Sequence, residues 1–288
     1  MIREGRTLEP LTLLLVLLAA VLHASWNALV KHGDALMRMA LVNAMASLCA
    51  LPLLLAVAVP ARASWPYLLA SVIVHQGYYA FLVLGYQVGD LSQIYPIARG
   101  SAPLLVAVGA FTFAGETLSV PGMVAVLLIC AAILSLAFGG GPQRGSGAPV
   151  LFALATGITI AGYTLLDGLG GRLAGDVRGY IAWLFVLEGI PLTLFALVRR
   201  RQRFWPAVRS DLLTGALGGA FAFTAYGVVI WAMTLTPMTY VSALRETSVI
   251  LAALIGTRLL REPLGARRIG AATVVTLGVV LLQVSHGG

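Results

Sequence analysis

Strongly apolar runs of roughly 20 residues recur along the whole chain, separated by short polar or Gly/Pro-rich segments. A transmembrane helix needs a run of this length, because a helix rises about 1.5 Å per residue and the hydrocarbon core of a bilayer is about 30 Å thick. Only 10% of the 288 residues are charged, whereas soluble domains carry about 25%. The sequence therefore predicts an all-α membrane protein of ten transmembrane helices, near residues 11–30, 39–59, 65–87, 92–113, 120–138, 149–167, 179–198, 211–234, 238–257 and 267–284.

The chain has a formal net charge of +8, which raises the question of nucleic-acid binding. Its Lys and Arg residues, however, cluster in the segments between the apolar runs. Basic loops are typical of membrane proteins, because such loops lie against anionic lipid headgroups. We therefore expect no nucleic-acid partner, and we expect a lipid bilayer around the helices.

Sequence motifs of metal, cofactor or enzyme chemistry are absent. The two cysteines, Cys49 and Cys130, lie inside apolar runs, so they provide neither a disulfide framework nor a CxxC metal or redox motif. The chain contains no GxxxxGKS/T, HExxH or GxSxG sequence, which excludes the phosphate-binding loop of ATPases and two common hydrolase sites. We expect no cofactor, no bound metal and no enzymatic activity.

An internal repeat divides the chain into two halves, residues 1–140 and 148–288, joined by a Gly-rich linker at 139–147. A shift of 146 positions superposes Arg99 on Arg245 and aligns YPIARGSAP with VSALRETSV. Because each half holds an odd number of spans, the second half must run inverted relative to the first. The predicted fold is two inverted five-helix repeats around a central cavity, as in many secondary transporters.

Short motifs at matching places in the two halves carry a family resemblance. They are SWNALVK at 25–31, GETLS at 115–119 and its counterpart REPLG at 261–265. With the ten spans, these motifs resemble the EamA branch of the drug/metabolite transporter superfamily. The resemblance implies an exporter or facilitator of amino acids and related metabolites, and we expect it in a bacterial inner membrane. The motif glutamates, Glu116 and Glu262, are expected to be structural charges at helix ends.

The orientation in the membrane stays open. An even number of spans places both termini on the same side. The loops after odd-numbered spans hold most of the basic residues, so the positive-inside rule puts the termini outside, whereas the family resemblance implies that they are inside. Much of the basic excess comes from one segment, RRRQRFWPAVR at 199–209.

Ionisable side chains inside the spans are few, and each costs from about 2.5 to more than 10 kcal/mol to bury in the bilayer. Arg99 lies between Pro96 and Pro103, whose missing N–H groups should kink or interrupt the helix. Its guanidinium can bind a substrate carboxylate, or it can be a structural group paired with Glu188 or Glu246. Both interpretations stay open.

Arg245, Glu246 and Glu188 can likewise have either a functional role or a structural role in an ion pair. Arg245 and Glu246 are adjacent, so their side chains point about 100° apart on a helix, and we expect one to face the substrate or partner helices while the other pairs elsewhere. With its repeat mate Arg99, Arg245 can flank a site for an anionic or zwitterionic ligand, or it can tie the halves together through carboxylates. Glu188, in the middle of the seventh span, can couple transport to protons or stay ionised in a salt bridge to Arg99 or Arg245.

An aromatic, hydrogen-bonding stripe follows one face of the third span, where His75, Tyr78, Tyr79 and Tyr86 recur at helical spacings. A lipid-facing helix has little use for such a stripe, so we expect these residues to line the cavity and bind substrate, although Tyr and Trp also form interfacial belts. Rings of other spans can line the same cavity and hold an apolar side chain or a cation, or they can belong to the interfacial belts; they are Trp26, Tyr95, Tyr163, Trp183, Tyr226 and Trp231.

These patterns predict a secondary transporter, in which one half-bundle moves against the other around a midplane site. We expect export of amino acids or related zwitterions, with Arg99 taking the carboxylate and the aromatic stripe admitting bulky side chains. An intramembrane enzyme is a less favoured alternative, because the chain has only 11 acidic residues; an ion channel is another. The small-residue packing positions leave both a monomer and a homodimer open.

Overall fold

A computed structural model of the protein describes residues 10–30, 34–88, 91–137, 147–250 and 266–285. The regular secondary structure of these residues is helical. The helices are α1 (Pro10–Val30), α2 (Ala35–Ala50), α3 (Trp65–Val88), α4 (Leu91–Ala114), α5 (Val120–Ala137), α6 (Ala148–Leu173), α7 (Val177–Arg199), α8 (Arg201–Leu235), α9 (Met238–Arg245) and α10 (Ala266–Ser285), with short 3₁₀ segments at Leu51–Leu55 and Arg62–Ser64.

Eight of these helices, α1 to α8, are long and apolar enough to cross a membrane. Large apolar side chains on their outer faces are exposed, among them Leu14, Val108, Phe111 and Leu151. A soluble protein rarely exposes contiguous apolar surface of this kind, whereas lipid tails surround it favourably. The protein is therefore a multi-pass membrane protein. Residues 139–146 of the predicted linker lie outside the described residues.

The first eight predicted spans correspond to α1 to α8, with differences at some ends, and the ninth and tenth spans stay predictions. α2 begins at Ala35 rather than near residue 39, because Asp34 caps its first turn by accepting a hydrogen bond from the Met37 N–H at 3.3 Å. α8 begins at Arg201 rather than near residue 211, because Phe204 is buried beside Met37 while the arginines around it stay exposed. The basic segment predicted as a loop is thus the amphipathic first part of a helix.

The helix break lies in α9, and not in α4 as Pro96 and Pro103 predicted. α4 continues through both prolines, because the proline ring fits a helical φ and each proline removes only one backbone donor. α9 instead ends at Arg245, where the N–H of Glu246 turns back to the carbonyl three residues earlier at 3.1 Å, and helical backbone resumes at 247–250. The prediction of an interrupted α4 was wrong. The break directly follows Arg245 instead.

Helices before the linker pack mainly on helices after it. α1 packs on α8, α2 packs on α7 and α8, α3 and α4 pack on α6, and α5 packs on α10 as well as on α4. The main buried cluster accordingly mixes the two halves, with Val106 and Ile133 from the first beside Leu184 and Ile230 from the second. The buried residues that carry Arg, Asp, Glu or His side chains lie on α3, α4, α6 and α7 and at the end of α9.

Gly219 lets α8 approach α2 closely, and its replacement tests this packing. A Cβ atom at Gly219 would lie 2.6 Å from Cβ of Met45 and 2.7 Å from the backbone nitrogen of Ala46. Because a backbone atom cannot turn away, we expect Gly219→Ala to cost about 1–3 kcal/mol by overpacking. That loss exceeds the roughly 1 kcal/mol that alanine gains in helix propensity. The measurement is the thermal midpoint of the purified protein in detergent.

Gly270→Ala on α10 is the matched control for this prediction. A Cβ atom at Gly270 meets no heavy atom within 4 Å, so only the propensity gain remains and the midpoint should stay level or rise. Equal midpoints for the two variants would contradict the close approach of α2 and α8.

Candidate functional site

Six ionisable side chains are buried near one another between the helices. None of them is more than 4% exposed. Because a charge in the bilayer interior is costly, such groups are retained where they pair with one another or serve a function. They are His75, Arg99, Asp167, Glu188, Arg245 and Glu246.

Arg99 is an ion-paired residue. Its Nε atom lies 2.9 Å from Oε2 of Glu246, although its N–H is not aligned with that oxygen as in a directed hydrogen bond. Its Nη2 donates a hydrogen bond to Oγ of Ser248 at 3.1 Å, and the Tyr95 ring lies 5.9 Å from the guanidinium carbon. Glu246 balances the charge of Arg99. This is one of the two ion pairs that the sequence offered for a structural Arg99.

Arg245 is buried without a carboxylate at ion-pair distance among the described residues. Its Nη2 donates to the Tyr163 hydroxyl at 3.3 Å, and its guanidinium carbon lies 5.9 Å and 5.6 Å from the ring centroids of Tyr163 and Tyr226. Its Nε and Nη1 have no hydrogen-bond partner in the part of the chain described. Cation–π contacts compensate only part of the cost of burying a charge. The described part of the site therefore holds a cation with no carboxylate at ion-pair distance.

Tyr163 lies at the centre of the aromatic rings around this cation. His75 stacks on it with ring centroids 4.0 Å apart, and Tyr78 and Tyr226 each meet it edge-on at 5.7 Å. Tyr163 is buried, whereas Tyr78 and Tyr226 are only half-buried. The structure thus brings together four predicted substrate-binding residues, His75, Tyr78, Tyr163 and Arg245.

Two other predicted substrate-binding residues have ring contacts with side chains other than Arg245. Tyr95 lies against the paired Arg99. Trp26 is buried in an apolar contact with Val42 and Phe221, and its Nε1 donates to Nδ1 of His23 at 3.3 Å. The structure therefore does not place the Trp26 ring against the arginine cation.

Glu188 contacts Tyr79 and His75. Its Oε1 is hydrogen-bonded to the Tyr79 hydroxyl and lies 3.9 Å from Nε2 of His75. The same hydroxyl lies 2.8 Å from Oδ1 of Asn43. The other carboxyl oxygen, Oε2, has no hydrogen-bond partner among the described residues. The salt bridge to an arginine that the sequence left open is not formed in this part of the chain.

Asp167 is a buried residue of this cluster that the sequence did not assign to the site. α6 continues past it to Leu173, and its carboxylate accepts hydrogen bonds from the hydroxyls of Tyr180 at 3.0 Å and Tyr226 at 2.5 Å. Gly170 leaves room for this arrangement, since a Cβ atom there would lie 2.6 Å from the Tyr180 hydroxyl. The sequence analysis ended the span at Asp167, and the Gly-rich DGLGG pattern that follows was the available signal of a packed helix.

Glu116 has the structural role at a helix end that the sequence predicted. Its carboxylate accepts hydrogen bonds from the N–H of Met238 at 2.8 Å and from Nη2 of Arg172 at 2.6 Å. Because the first N–H groups of a helix lack internal partners, a carboxylate at this end stabilises α9. Its repeat mate, Glu262, lies outside the described residues.

The buried carboxyl groups occupy three separate environments. Glu246 is paired with Arg99, Asp167 accepts from two tyrosines, and Glu188 contacts Tyr79. The described residues contain no group of three or more His, Cys, Asp and Glu side chains that could hold a metal ion. The arrangement offers charge, hydrogen bonds and aromatic surface, which suit the binding of a small polar molecule.

Residues 147–284 match the family model of the EamA-like transporter family. The second half of the chain is thus similar to this family. The EamA-like half contributes Tyr163, Asp167, Glu188, Arg245 and Glu246 to the buried cluster. Because the members of this family are transporters, the match supports a role in the membrane transport of small molecules.

A solved structure titled "Crystal structure of protein" has the same fold. It is similar to this chain with a TM-score of 0.75 at 17% sequence identity, and the alignment covers 94% of this chain and 97% of that one. The shared fold thus extends over both halves, beyond the segment that matches the EamA-like family. No curated protein matches the chain.

Proposed function

We propose that the protein is a secondary transporter that exports amino acids or related zwitterions across a bacterial inner membrane by alternating access. The observation that carries the proposal is the buried Arg245, whose Nε and Nη1 are unsatisfied among the described residues. A substrate carboxylate supplies both the missing charge and the missing hydrogen-bond acceptors. We assign the carboxylate to Arg245 rather than to Arg99, since Glu246 already balances Arg99.

A negative group near Arg245 supports a zwitterion over a simple anion. The Tyr226 ring lies 5.6 Å from the Arg245 guanidinium, and its hydroxyl donates to Asp167. Opposite charges thus lie on the two sides of one tyrosine. A substrate ammonium can face Asp167 and the aromatic rings while its carboxylate faces Arg245. The half-buried Tyr78 and Tyr226 provide surface for the substrate's side chain.

Pseudosymmetric packing supports ten spans in two inverted halves, residues 1–140 and 148–288. The contact of α3 with α6 has a counterpart in the contact of α8 with α1. Within these pairs, the stacking of His75 on Tyr163 corresponds to the packing of Phe221 with Trp26. The pair of α3 and α6 therefore carries a polar site, whereas its counterpart, the pair of α8 and α1, carries an apolar contact.

The break in α9 supports a substrate site beside Arg245. Interrupted helices in transporters present free backbone groups near the midplane, where substrates and ions bind. The break at Glu246 directly follows Arg245. The Arg245 cation, which has no carboxylate at ion-pair distance among the described residues, and the break in α9 thus lie together.

Counterflow in liposomes tests this function. The purified protein is reconstituted with internal unlabelled substrate, and the uptake of labelled amino acids is compared with that of the matching amines, which lack the carboxylate, and carboxylates, which lack the amine. We expect saturable counterflow for at least one amino acid and less for either truncated analogue. An absence of saturable flux across the whole panel would overturn the proposal.

A further inference from the structure

Two acceptors share the single hydroxyl hydrogen of Tyr79. Its oxygen is in hydrogen-bond contact with Oε1 of Glu188 and lies 2.8 Å from Oδ1 of Asn43. The Asn43 amide cannot be turned to supply a donor, because its nitrogen donates to the Met39 carbonyl at 2.9 Å. If Tyr79 donates to Asn43, the contact with Glu188 needs a second proton, and a protonated Glu188 provides it.

The same geometry also satisfies an ionised Glu188. When the carboxyl group loses its proton, the Tyr79 hydroxyl can rotate from Asn43 to Oε1 of Glu188. His75 is then the adjacent group that can carry a positive charge, with its Nε2 3.9 Å from that oxygen. A fixed structural carboxylate needs only one of these arrangements, whereas here both protonation states have a hydrogen-bond partner within reach.

We infer that Glu188 is the proton-binding site of this transporter, separate from the substrate site at Arg245, and that proton exchange on its carboxyl group drives transport. The inference rests on the proposed function. On one side of the membrane a proton from water forms the O–H bond of the carboxyl group. On the other side that bond breaks, the proton returns to water, and the charge stays on Glu188.

The groups around the carboxyl group come from several helices. α2 contributes the neutral Asn43, and α3 contributes Tyr79 and His75. Behind His75, α6 contributes Asp167, which lies next to Ser71 and His75, and α8 contributes Tyr226, whose ring is 5.7 Å from the His75 ring. Arg245 also lies near His75. Of these groups, Glu188 is the one whose contact with Tyr79 provides a hydrogen-bond partner in both protonation states.

The test compares Glu188→Gln with the wild type in two assays on the same liposomes. Because the glutamine amide can donate to Tyr79 as a protonated carboxyl group does, the fold and the counterflow should be retained. Accumulation driven by a pH gradient should be lost. With one proton per substrate, a gradient of about two pH units sustains up to about 100-fold accumulation, since each tenfold corresponds to about 1.4 kcal/mol. The variant should only equilibrate its substrate.

Asp176→Asn is the matched control, because it makes the same carboxylate-to-amide change at the N-terminal end of α7. Asp176 lies outside the span, and its hydrogen bond to Arg178 lowers the pKa of its carboxyl group. This control should accumulate substrate as the wild type does. Infrared difference spectra recorded across pH should show a protonated-carboxyl band in the wild type that is missing in Glu188→Gln.

The outcomes separate this inference from the proposed function. If the wild type shows no counterflow, the proposed function fails. If it shows counterflow but a pH gradient of either direction drives no accumulation, the transporter stands and the proton site is wrong. Wild-type accumulation by Glu188→Gln would also overturn the inference.

Discussion

Replacing Arg245 by alanine should weaken the binding of a carboxylate-bearing substrate by roughly 30-fold to several thousandfold. Truncating one partner of a buried, hydrogen-bonded charge pair costs about 2–5 kcal/mol, and each 1.4 kcal/mol is tenfold in affinity. The measurement is the concentration of unlabelled substrate that halves the counterflow of labelled substrate in liposomes. The thermal midpoint should not fall, because the substitution removes a buried charge that has no carboxylate partner among the described residues.

Two controls isolate the role of the Arg245 charge. An ester analogue, which lacks the carboxylate charge, should lose little affinity when Arg245 is replaced. Arg178→Ala removes an exposed arginine that pairs with Asp176 outside the site, and it should keep the wild-type affinity. A folded Arg245→Ala protein that binds the carboxylate substrate as tightly as the wild type would refute the assignment.

Arg99→Met and Glu246→Leu, made singly, should each lower the thermal midpoint on the order of 10 °C. Each change leaves the other charge of the pair buried and uncompensated, at a cost of about 3–5 kcal/mol. In a chain of this size each kcal/mol corresponds to about 2–4 °C. The double variant should recover most of the loss, because two apolar side chains replace the whole ion pair.

The double-mutant cycle for Arg99 and Glu246 is measured by thermal unfolding in detergent. We expect a coupling between the two positions of roughly 2 kcal/mol or more. Additive losses would show that the 2.9 Å contact contributes nothing to stability. Arg245→Ala provides the contrast, since the same type of side chain is removed there without breaking an ion pair.

The helices could be predicted from the sequence because bilayer thickness fixes the length of each apolar run. The predictions failed where a local signal was outweighed by distant contacts. Pro96 and Pro103 mark possible breaks, yet α4 is continuous, while the break at Glu246 has no proline beside it. The start of α8 was missed because the burial of Phe204 depends on residues of α2, which are far away in the chain.

The candidate site was predicted as a set of residues but not as a set of contacts. Hydropathy identifies charges inside spans, so Arg99, Arg245, Glu188 and Glu246 stand out. Which arginine pairs with Glu246 depends on the rotation of each helix and on its position along the membrane normal. Both follow from packing between helices that are distant in sequence. Asp167 was missed for the same reason, since its partners lie on α7 and α8.

The Tyr163 side chain lies between the two proposed sites, because its ring stacks on His75, a neighbour of Glu188, and its hydroxyl accepts from Arg245. An anion that draws the guanidinium away from this phenol frees the ring to shift against the imidazole. Occupancy at one location then alters the neighbourhood of the other without any long-range rearrangement. Tyr163 can thus couple substrate transport to proton transport. A smaller side chain at this position should leave the substrate flux and the proton flux independent.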